Sequence, residues 1–200
     1  MELTLLLVIL FAVFALLRGG SLDALATTKF RWTWALLLSL AVQLGVDIWS
    51  PEWLTKGMSF AIVLATNALV VIFLLINLRL PGTSLAAIGL LLNIAVIGAN
   101  GAMPVSPRAA EMAGRTLTDD DFGLKHELLT DETRLPWLGD VIPLPKLKFL
   151  FSLGDIVLAL GIARLVYERA TSNLGGRHQF DDASIPARAA SGAGDDEKGR

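Results

Sequence analysis

Polar side chains that could bind a ligand or an ion lie inside long apolar stretches of this chain. Gln43 and Asp47 are four residues apart in one stretch, so a helix would place both on the same face. Asn93 and Asn100 are seven residues apart in another stretch, and Asp155 lies in the last one. Because burying polar side chains in lipid is energetically costly, these residues indicate either a functional site or contacts between helices. We interpret the five residues as lining a polar pocket.

Several of these residues also have a purely structural interpretation. Asn93 could serve only as a hydrogen-bonding contact between helices. Asp47 could lie among lipid headgroups, and Asp155 could cap a helix that begins late. Such a helix would cover only 156–167, which is too short to span a membrane. We therefore expect Asp155 about two turns inside the last helix, with its side chain meeting that of Asn100.

The segment before the last apolar stretch holds residue types that act as acids and bases. His126 and Asp140 join the predicted site, and Asp131 is a further carboxylate whose distance from them the sequence does not determine. One histidine without cysteine is a weak metal ligand set, and His126 also suits a surface or loop-packing role, so we predict no metal site. The chain has no glycine-rich phosphate loop, serine elbow or zinc-binding helix motif. We therefore assign no catalytic residue and no cofactor.

The composition indicates that the elements positioning these residues lie in a membrane. Apolar residues make up 54% of the 200 residues, charged residues make up 18%, and the mean hydropathy is +0.59. Soluble domains contain about a quarter charged residues. The net charge of −2 gives no reason to expect a nucleic-acid partner. The absence of cysteine excludes disulfides, thiol catalysis and thiolate-bound metals. The predicted partner is the lipid bilayer.

The apolar stretches predict an all-α fold, a polytopic membrane helix bundle of about five transmembrane helices. Residues 1–169 would form the transmembrane domain. Residues 170–200 have almost no large apolar side chains and would form a disordered cytoplasmic tail. Residues 100–146 would form a long, partly ordered extracytoplasmic loop, in which Ser106, Pro107 and Gly114 predict a two-turn helix. The predicted spans cover about 3–17, 32–48, 58–78, 84–99 and 147–167.

The first stretch can also be interpreted as a cleaved signal peptide. It is short for a span, and the sequence Ala24-Leu25-Ala26 fits the small-x-small pattern of a cleavage site. However, the two residues before the stretch, Met1 and Glu2, carry no cationic side chain, and the positive charge follows the stretch. We therefore expect the first span to be retained.

The distribution of cations predicts the orientation. Short loops on the cytoplasmic side of a membrane are enriched in lysine and arginine. If five spans place the N-terminus outside and the C-terminus in the cytoplasm, every short loop agrees with this rule. We therefore expect a multi-pass protein of the cell inner (plasma) membrane. The cations on the cytoplasmic side would be Arg18, Lys29, Arg31, Arg79, Arg169 and Arg177.

Four short motifs together resemble those of a known family. They are ANGAMPV at 99–105, KH at 125–126, TDETRLPWLGDVIP at 130–143 and SLGD at 152–155. The set resembles a bacterial family of small integral membrane proteins classed as a domain of unknown function, and the likeness extends from about Leu3 to Tyr167. The resemblance implies a multi-span bacterial membrane protein. It implies no activity, substrate or catalytic residue.

Three functions remain open at this point. The first is an outward-facing module that binds, or takes part in transporting, a small molecule or ion through the polar pocket. The second is an accessory or assembly subunit whose loop and helix faces bind a membrane protein partner, which requires no site at all. The third is a membrane enzyme, which would need His126 within hydrogen-bond reach of a carboxylate.

Overall fold

A computed structural model of the chain describes residues 12–14, 16–21, 23, 26–49, 53–118 and 125–172. Most of these residues are helical. The predicted span at 3–17 is described only at residues 12–14, 16 and 17, which are helical, and the predicted tail at 170–200 only at its first three residues. The rest of both predictions lies outside the described residues.

Five α-helices and one short 3₁₀ helix (Pro136–Leu138) follow in the described part of the chain after residue 30. Three of them, α1, α2 and α3, lie where the second, third and fourth apolar stretches predict helices. Consecutive long helices pack against each other, so α1 contacts α2, α2 contacts α3, and α3 contacts the last helix. The helices are α1 (Thr33–Ile48), α2 (Lys56–Ile76), α3 (Thr83–Asn100), the short α4 (Pro107–Met112) and α5 (Leu153–Thr171).

Small residues bring α3 and α5 into backbone contact. A Cβ atom at Gly89 would lie 2.6 Å from Gly154 O, and one at Gly161 would lie 2.7 Å from Gly82 O. The glycines on each side are seven residues apart, a spacing that keeps one face of a helix toward its partner. Because no side chain separates the two backbones, this glycine seam sets the register of the antiparallel pair.

The start of α5 corrects the last predicted span. The helix begins at Leu153 rather than at residue 147, because Ser152 caps it and the preceding residues form a strand. Asp155 consequently lies in the first turn of α5, not two turns inside. The helix continues to Thr171, so its 19 residues rise about 28 Å, and the late start does not make it too short to span.

Two small β-sheets lie between α3 and α5, and the all-α prediction missed them. Strand β1 (Met103–Val105) pairs in parallel with β2 (His126–Leu128), and β3 (Ile142–Leu144) pairs antiparallel with β4 (Phe149–Phe151). Three-residue strands are too short to show an alternating pattern. The apolar residues of β4 therefore merged with the helix prediction that follows.

The segment that carries these strands folds onto the end of α3. Met103 and Leu138, which is 2% exposed, pack against Val96 and Ile97 of α3. The predicted two-turn helix is confirmed as α4, with Ser106 Oγ accepting a hydrogen bond from Ala109 N at 3.2 Å. This part of the chain is thus an ordered cap on the helices.

Two of the helices, α2 and α3, are long and apolar enough to cross a membrane. The apolar part of α1, Thr33–Val46, is shorter. These features suggest, weakly, an association with a membrane.

Candidate functional site

A cleft of about 260 Å³ opens where the first turn of α2, the end of α3 and strand β2 meet. Binding pockets for drug-sized ligands occupy about 300–1,000 Å³, so this volume suits a smaller molecule. The cleft offers hydrogen-bond donors, acceptors and both signs of charge. Its lining residues are Lys56, Gly57 and Phe60 of α2, Asn100, Gly101 and Ala102 at the end of α3, and His126 and Glu127 of β2.

His126 and Asp140 reach the cleft region from opposite edges of β1. Strand β2 places His126 beside Met103, while Asp140 N donates to Pro104 O at 2.8 Å and Ser106 N donates to Asp140 O at 3.1 Å. His126 Nε2 lies 4.0 Å from Asp140 Oδ2, which is within ion-pair range but too long for a hydrogen bond. The side chain of His126 is 44% exposed and that of Asp140 is 13% exposed, so the histidine lies at the surface and the carboxyl is largely buried.

The pKa of the Asp140 carboxyl is unusually high for an aspartate. Burial, and secondly the negative charge of Asp155, raises the pKa of Asp140 from 3.8 to about 7. Burial also raises the pKa of Glu127, although Lys56 opposes that shift. A carboxyl that titrates near neutral pH can accept or release a proton under physiological conditions. His126 therefore faces a group whose charge changes with small changes in pH.

Asp155 belongs to a closed ring of hydrogen bonds between α3 and α5. Asn93 Nδ2 donates to Asp155 Oδ1 at 2.8 Å, and Ser152 Oγ donates to Asn93 Oδ1 at 2.9 Å. The capping box completes the ring, because Ser152 N donates to Asp155 Oδ2 at 3.2 Å and Asp155 N donates to Ser152 Oγ at 2.9 Å. Gly154 allows this approach, since any side chain there would overlap the Asn93 amide. The three polar side chains satisfy one another.

Asn93, and not Asn100, is the asparagine that meets Asp155. The two asparagines are separated by about 10 Å along α3, and the glycine seam sets Gly154 opposite Asn93. Asn100 instead holds the loop: Arg134 N donates to Asn100 Oδ1 at 2.8 Å, and Asn100 Nδ2 donates to Arg134 O at 2.8 Å. The predicted pocket therefore divides into two regions, the ring (Asn93, Ser152, Asp155) and the cleft.

Gln43 lies in neither region. Its Nε2 donates to Thr66 Oγ1 at 3.1 Å and to Asn67 Oδ1 at 3.2 Å, so the side chain joins α1 to α2. Asp47, which the sequence placed on the same helix face, has a side chain outside the described part of the chain.

Three residues of these regions with polar or charged side chains were not among the predicted site residues. Ser152 could have been found, because Ser-x-x-Asp before an apolar run resembles the capping-box spacing. Lys56 and Glu127 give no such signal, since 71 positions separate them and only the fold of the loop brings them to one cleft.

Comparison with known proteins gives one match. No curated protein and no solved structure matches this chain. The family of unknown function DUF5317 matches residues 27–167, which include both the ring and the cleft. This agrees with the resemblance to a family of unknown function, although the match begins at residue 27 rather than near Leu3. The chain belongs to the DUF5317 family, a family of unknown function.

Proposed function

We propose that this chain is a multi-pass membrane protein whose cleft binds a small polar ligand on the extracytoplasmic side. The observation that carries the proposal is the convergence of Lys56, Asn100, His126 and Glu127 on one cavity. The four side chains come from three separate elements, and they place a cation, a carboxylate, an amide and an imidazole around one cavity. This arrangement favours a ligand that carries both hydrogen-bond donors and acceptors.

The His126–Asp140 pair gives the proposed site an acid–base function. With a pKa of about 7, Asp140 gains a negative charge near neutral pH, 4.0 Å from His126 Nε2. The charge beside His126 at the edge of the cleft would therefore depend on pH. Ligand binding would be coupled to the protonation of the pair, as in a proton-linked binding or transport module.

Exposed apolar side chains on the helices support the membrane location. On α1, Leu37, Leu38 and Leu44 are between 48% and 59% exposed. A contiguous apolar face is unfavourable in water, and lipid would cover it. Trp34 and Trp49, at the two ends of α1, are 56% and 71% exposed, which is typical of residues in the two headgroup zones. The proposal extends this to five spans in the inner membrane.

The orientation we propose has the N-terminus outside and the C-terminus in the cytoplasm, which puts the cleft outside. Alkaline phosphatase is active only outside the cytoplasm, so it can be fused after Met112 and, separately, after Tyr167. The first fusion should be active and the second inactive. Activity after Tyr167, or none after Met112, would reverse the orientation.

An enzymatic function has less support than binding. The 4.0 Å between His126 Nε2 and Asp140 Oδ2 exceeds the hydrogen-bond distance expected of an oriented general base. The residues that line the cleft in the described part of the chain include no serine, threonine or cysteine. The alternative is an assembly subunit, which needs no cleft. Identifying co-purifying small molecules distinguishes an assembly subunit from a binding protein.

The binding proposal is tested by identifying small molecules that co-purify with the detergent-extracted protein. Untargeted mass spectrometry should find a compound with the natural chain that is reduced at least severalfold with the His126→Gln and Lys56→Gln variants. Asp131→Asn changes an exposed carboxylate in the same loop and is the matched control, with no expected loss. Equal recovery from all four proteins, or no compound at all, would favour the assembly subunit.

A further inference from the structure

The end of the bundle opposite the cleft carries many cations and few carboxylates. Glu168 there is already engaged, because Arg164 Nε donates to its Oε1 at 2.7 Å. None of the other arginines at this end has a carboxylate partner among the described residues. The described cations of this end are Arg18, Lys29, Arg31, Arg79, Arg164 and Arg169, and the described carboxylates are Asp23 and Glu168.

Phe14 and Ser21 contact the last turns of α5, where Arg169 is located. Ser21 N donates to Ala170 O at 2.8 Å, and the ring of Phe14 stacks on that of Tyr167 with centroids 5.7 Å apart. The guanidinium carbon of Arg18 lies 5.4 Å from the centroid of the Phe14 ring. These contacts bring Arg18 to the same end of α5 as Arg169.

Arg169 has an unsatisfied donor. Its Nε atom is buried and has no hydrogen-bond partner in the described part of the chain. A buried donor without an acceptor is unfavourable, and the penalty is larger for a charged group. A guanidinium matches the geometry of a phosphate, which can accept two parallel hydrogen bonds. Rotation of this partly buried side chain toward an anion at the surface would give Nε an acceptor and remove the penalty.

We propose that Arg169 and Arg18 bind the phosphate of an anionic phospholipid headgroup at this end of the bundle. A lipid suits the site better than a free anion, because Leu16 and Leu17 beside Arg18 are 40% and 81% exposed and would extend into the acyl region. In the proposed orientation this end meets the cytoplasmic leaflet, whose surface is negatively charged. The inference rests on the proposed membrane location and is independent of the cleft.

The test is a lipid titration of the delipidated full-length protein in detergent micelles, followed by native mass spectrometry. Dioleoyl phosphatidylglycerol is the probe, dioleoyl phosphatidylcholine is the uncharged control lipid, and inorganic phosphate is the competitor. The natural chain should bind phosphatidylglycerol in preference to phosphatidylcholine. Arg169→Gln should weaken that binding roughly fivefold, the effect of one basic residue at an anionic surface. Arg134→Gln changes an exposed arginine at the cleft end and should leave the binding unchanged.

Several results would overturn the lipid site. Equal binding of phosphatidylglycerol by the natural chain and the Arg169→Gln variant would do so, as would an equal loss in the Arg134→Gln control. Displacement of the lipid by inorganic phosphate would assign the site to free phosphate instead. If Arg169→Gln does not fold, Arg169→Lys keeps the charge but lacks the Nε donor. Binding by Arg169→Lys that matches the natural chain would then contradict the role of Nε.

Discussion

The ring between α3 and α5 and the cleft beside β2 are both built from polar side chains, yet they differ in how far those side chains are exposed. In the ring, Ser152 is 0% exposed and Asn93 is 7% exposed, and their polar atoms bond to each other and to Asp155. In the cleft, His126 is 44% exposed and the adjacent Asp140 carries a raised pKa. The ring is closed off within the fold, whereas the cleft exposes polar side chains at the surface.

This difference shows that a buried polar residue on an apolar helix is not by itself a sign of a ligand site. The sequence made Asp155 a candidate ligand group because burying a carboxylate in lipid is costly. The hydrogen bonds from Asn93 and Ser152 offset that cost, so Asp155 needs no ligand. Two experiments on the ring and two on the cleft end test this difference.

The largest effect is expected at the glycine seam beneath the ring. In Gly154→Ala, the new methyl group would overlap the Asn93 amide and meet Gly89 O at 2.7 Å, so the two backbones must separate. We expect a loss of about 3 kcal/mol in unfolding free energy. Gly45→Ala in α1, where nothing lies within 4 Å of a Cβ atom, is the control and should be neutral or stabilising. Thermal unfolding in detergent measures both, and equal behaviour would contradict the close packing.

A smaller loss is expected when the ring loses its carboxylate. Asp155→Leu leaves the donors of Asn93 and Ser152 without acceptors, at about 1–3 kcal/mol. Asp155→Asn keeps one acceptor oxygen and should lose less stability. Neither variant should change ligand recovery from the cleft beyond what the loss of folded protein explains. A folded Asp155→Asn variant that binds no ligand would show that the ring and cleft form one site.

The raised pKa of Asp140 predicts a pH dependence of stability. Between pH 3.8 and about 7, the native state retains a proton that the unfolded state releases, so unfolding free energy falls as pH rises through this window. The slope is at most about 1.4 kcal/mol per pH unit, and we expect a total change of about 1–2 kcal/mol between pH 5 and 7. Asp140→Asn should remove this component. Unfolding curves of both proteins at pH 5, 6, 7 and 8 test it, and parallel profiles would rule it out.

The smallest effect is expected at the border of the cleft. Asn100→Ala removes the two hydrogen bonds to the backbone of Arg134, which are solvent-accessible, so we expect a loss of only about 1 kcal/mol. Asn77 makes the same pair of bonds to the backbone of Arg31 but is 4% exposed. Asn77→Ala should therefore destabilise the protein more than Asn100→Ala. The reverse order in thermal unfolding would show that burial does not distinguish the two asparagines.

The sequence was sufficient to locate α1, α2 and α3, because long apolar stretches bounded by Gly, Pro and Trp leave few alternatives. It also located α4, since Ser106 and Pro107 form a strong helix start. It failed at the boundary between β4 and α5, where both the strand and the helix are apolar. The Ser152-x-x-Asp155 spacing was a readable signal for that boundary.

The pairing of the polar side chains was harder to predict than the helices. Asn93 and Asn100 share a face of α3, and apolar content does not determine which one lies opposite Asp155. The register depends on the glycines that bring α3 and α5 together. The cleft depends on the placement of α2 and β2 around one cavity, and these elements are remote in sequence and follow no local rule. His126 and Asp140 were identified by residue type, but only the fold of β1 gives the distance between them.

An open cleft and a closed ring are distinguished most directly by labelling single cysteines, because the natural chain contains none. The variants Glu127→Cys, Ser152→Cys and Arg79→Cys can be treated with a membrane-impermeant maleimide on intact cells and again after permeabilisation. Glu127→Cys should be labelled on intact cells, Arg79→Cys only after permeabilisation, and Ser152→Cys under neither condition while the protein remains folded. Labelling of Ser152→Cys as fast as Glu127→Cys on intact cells would contradict the separation of ring and cleft.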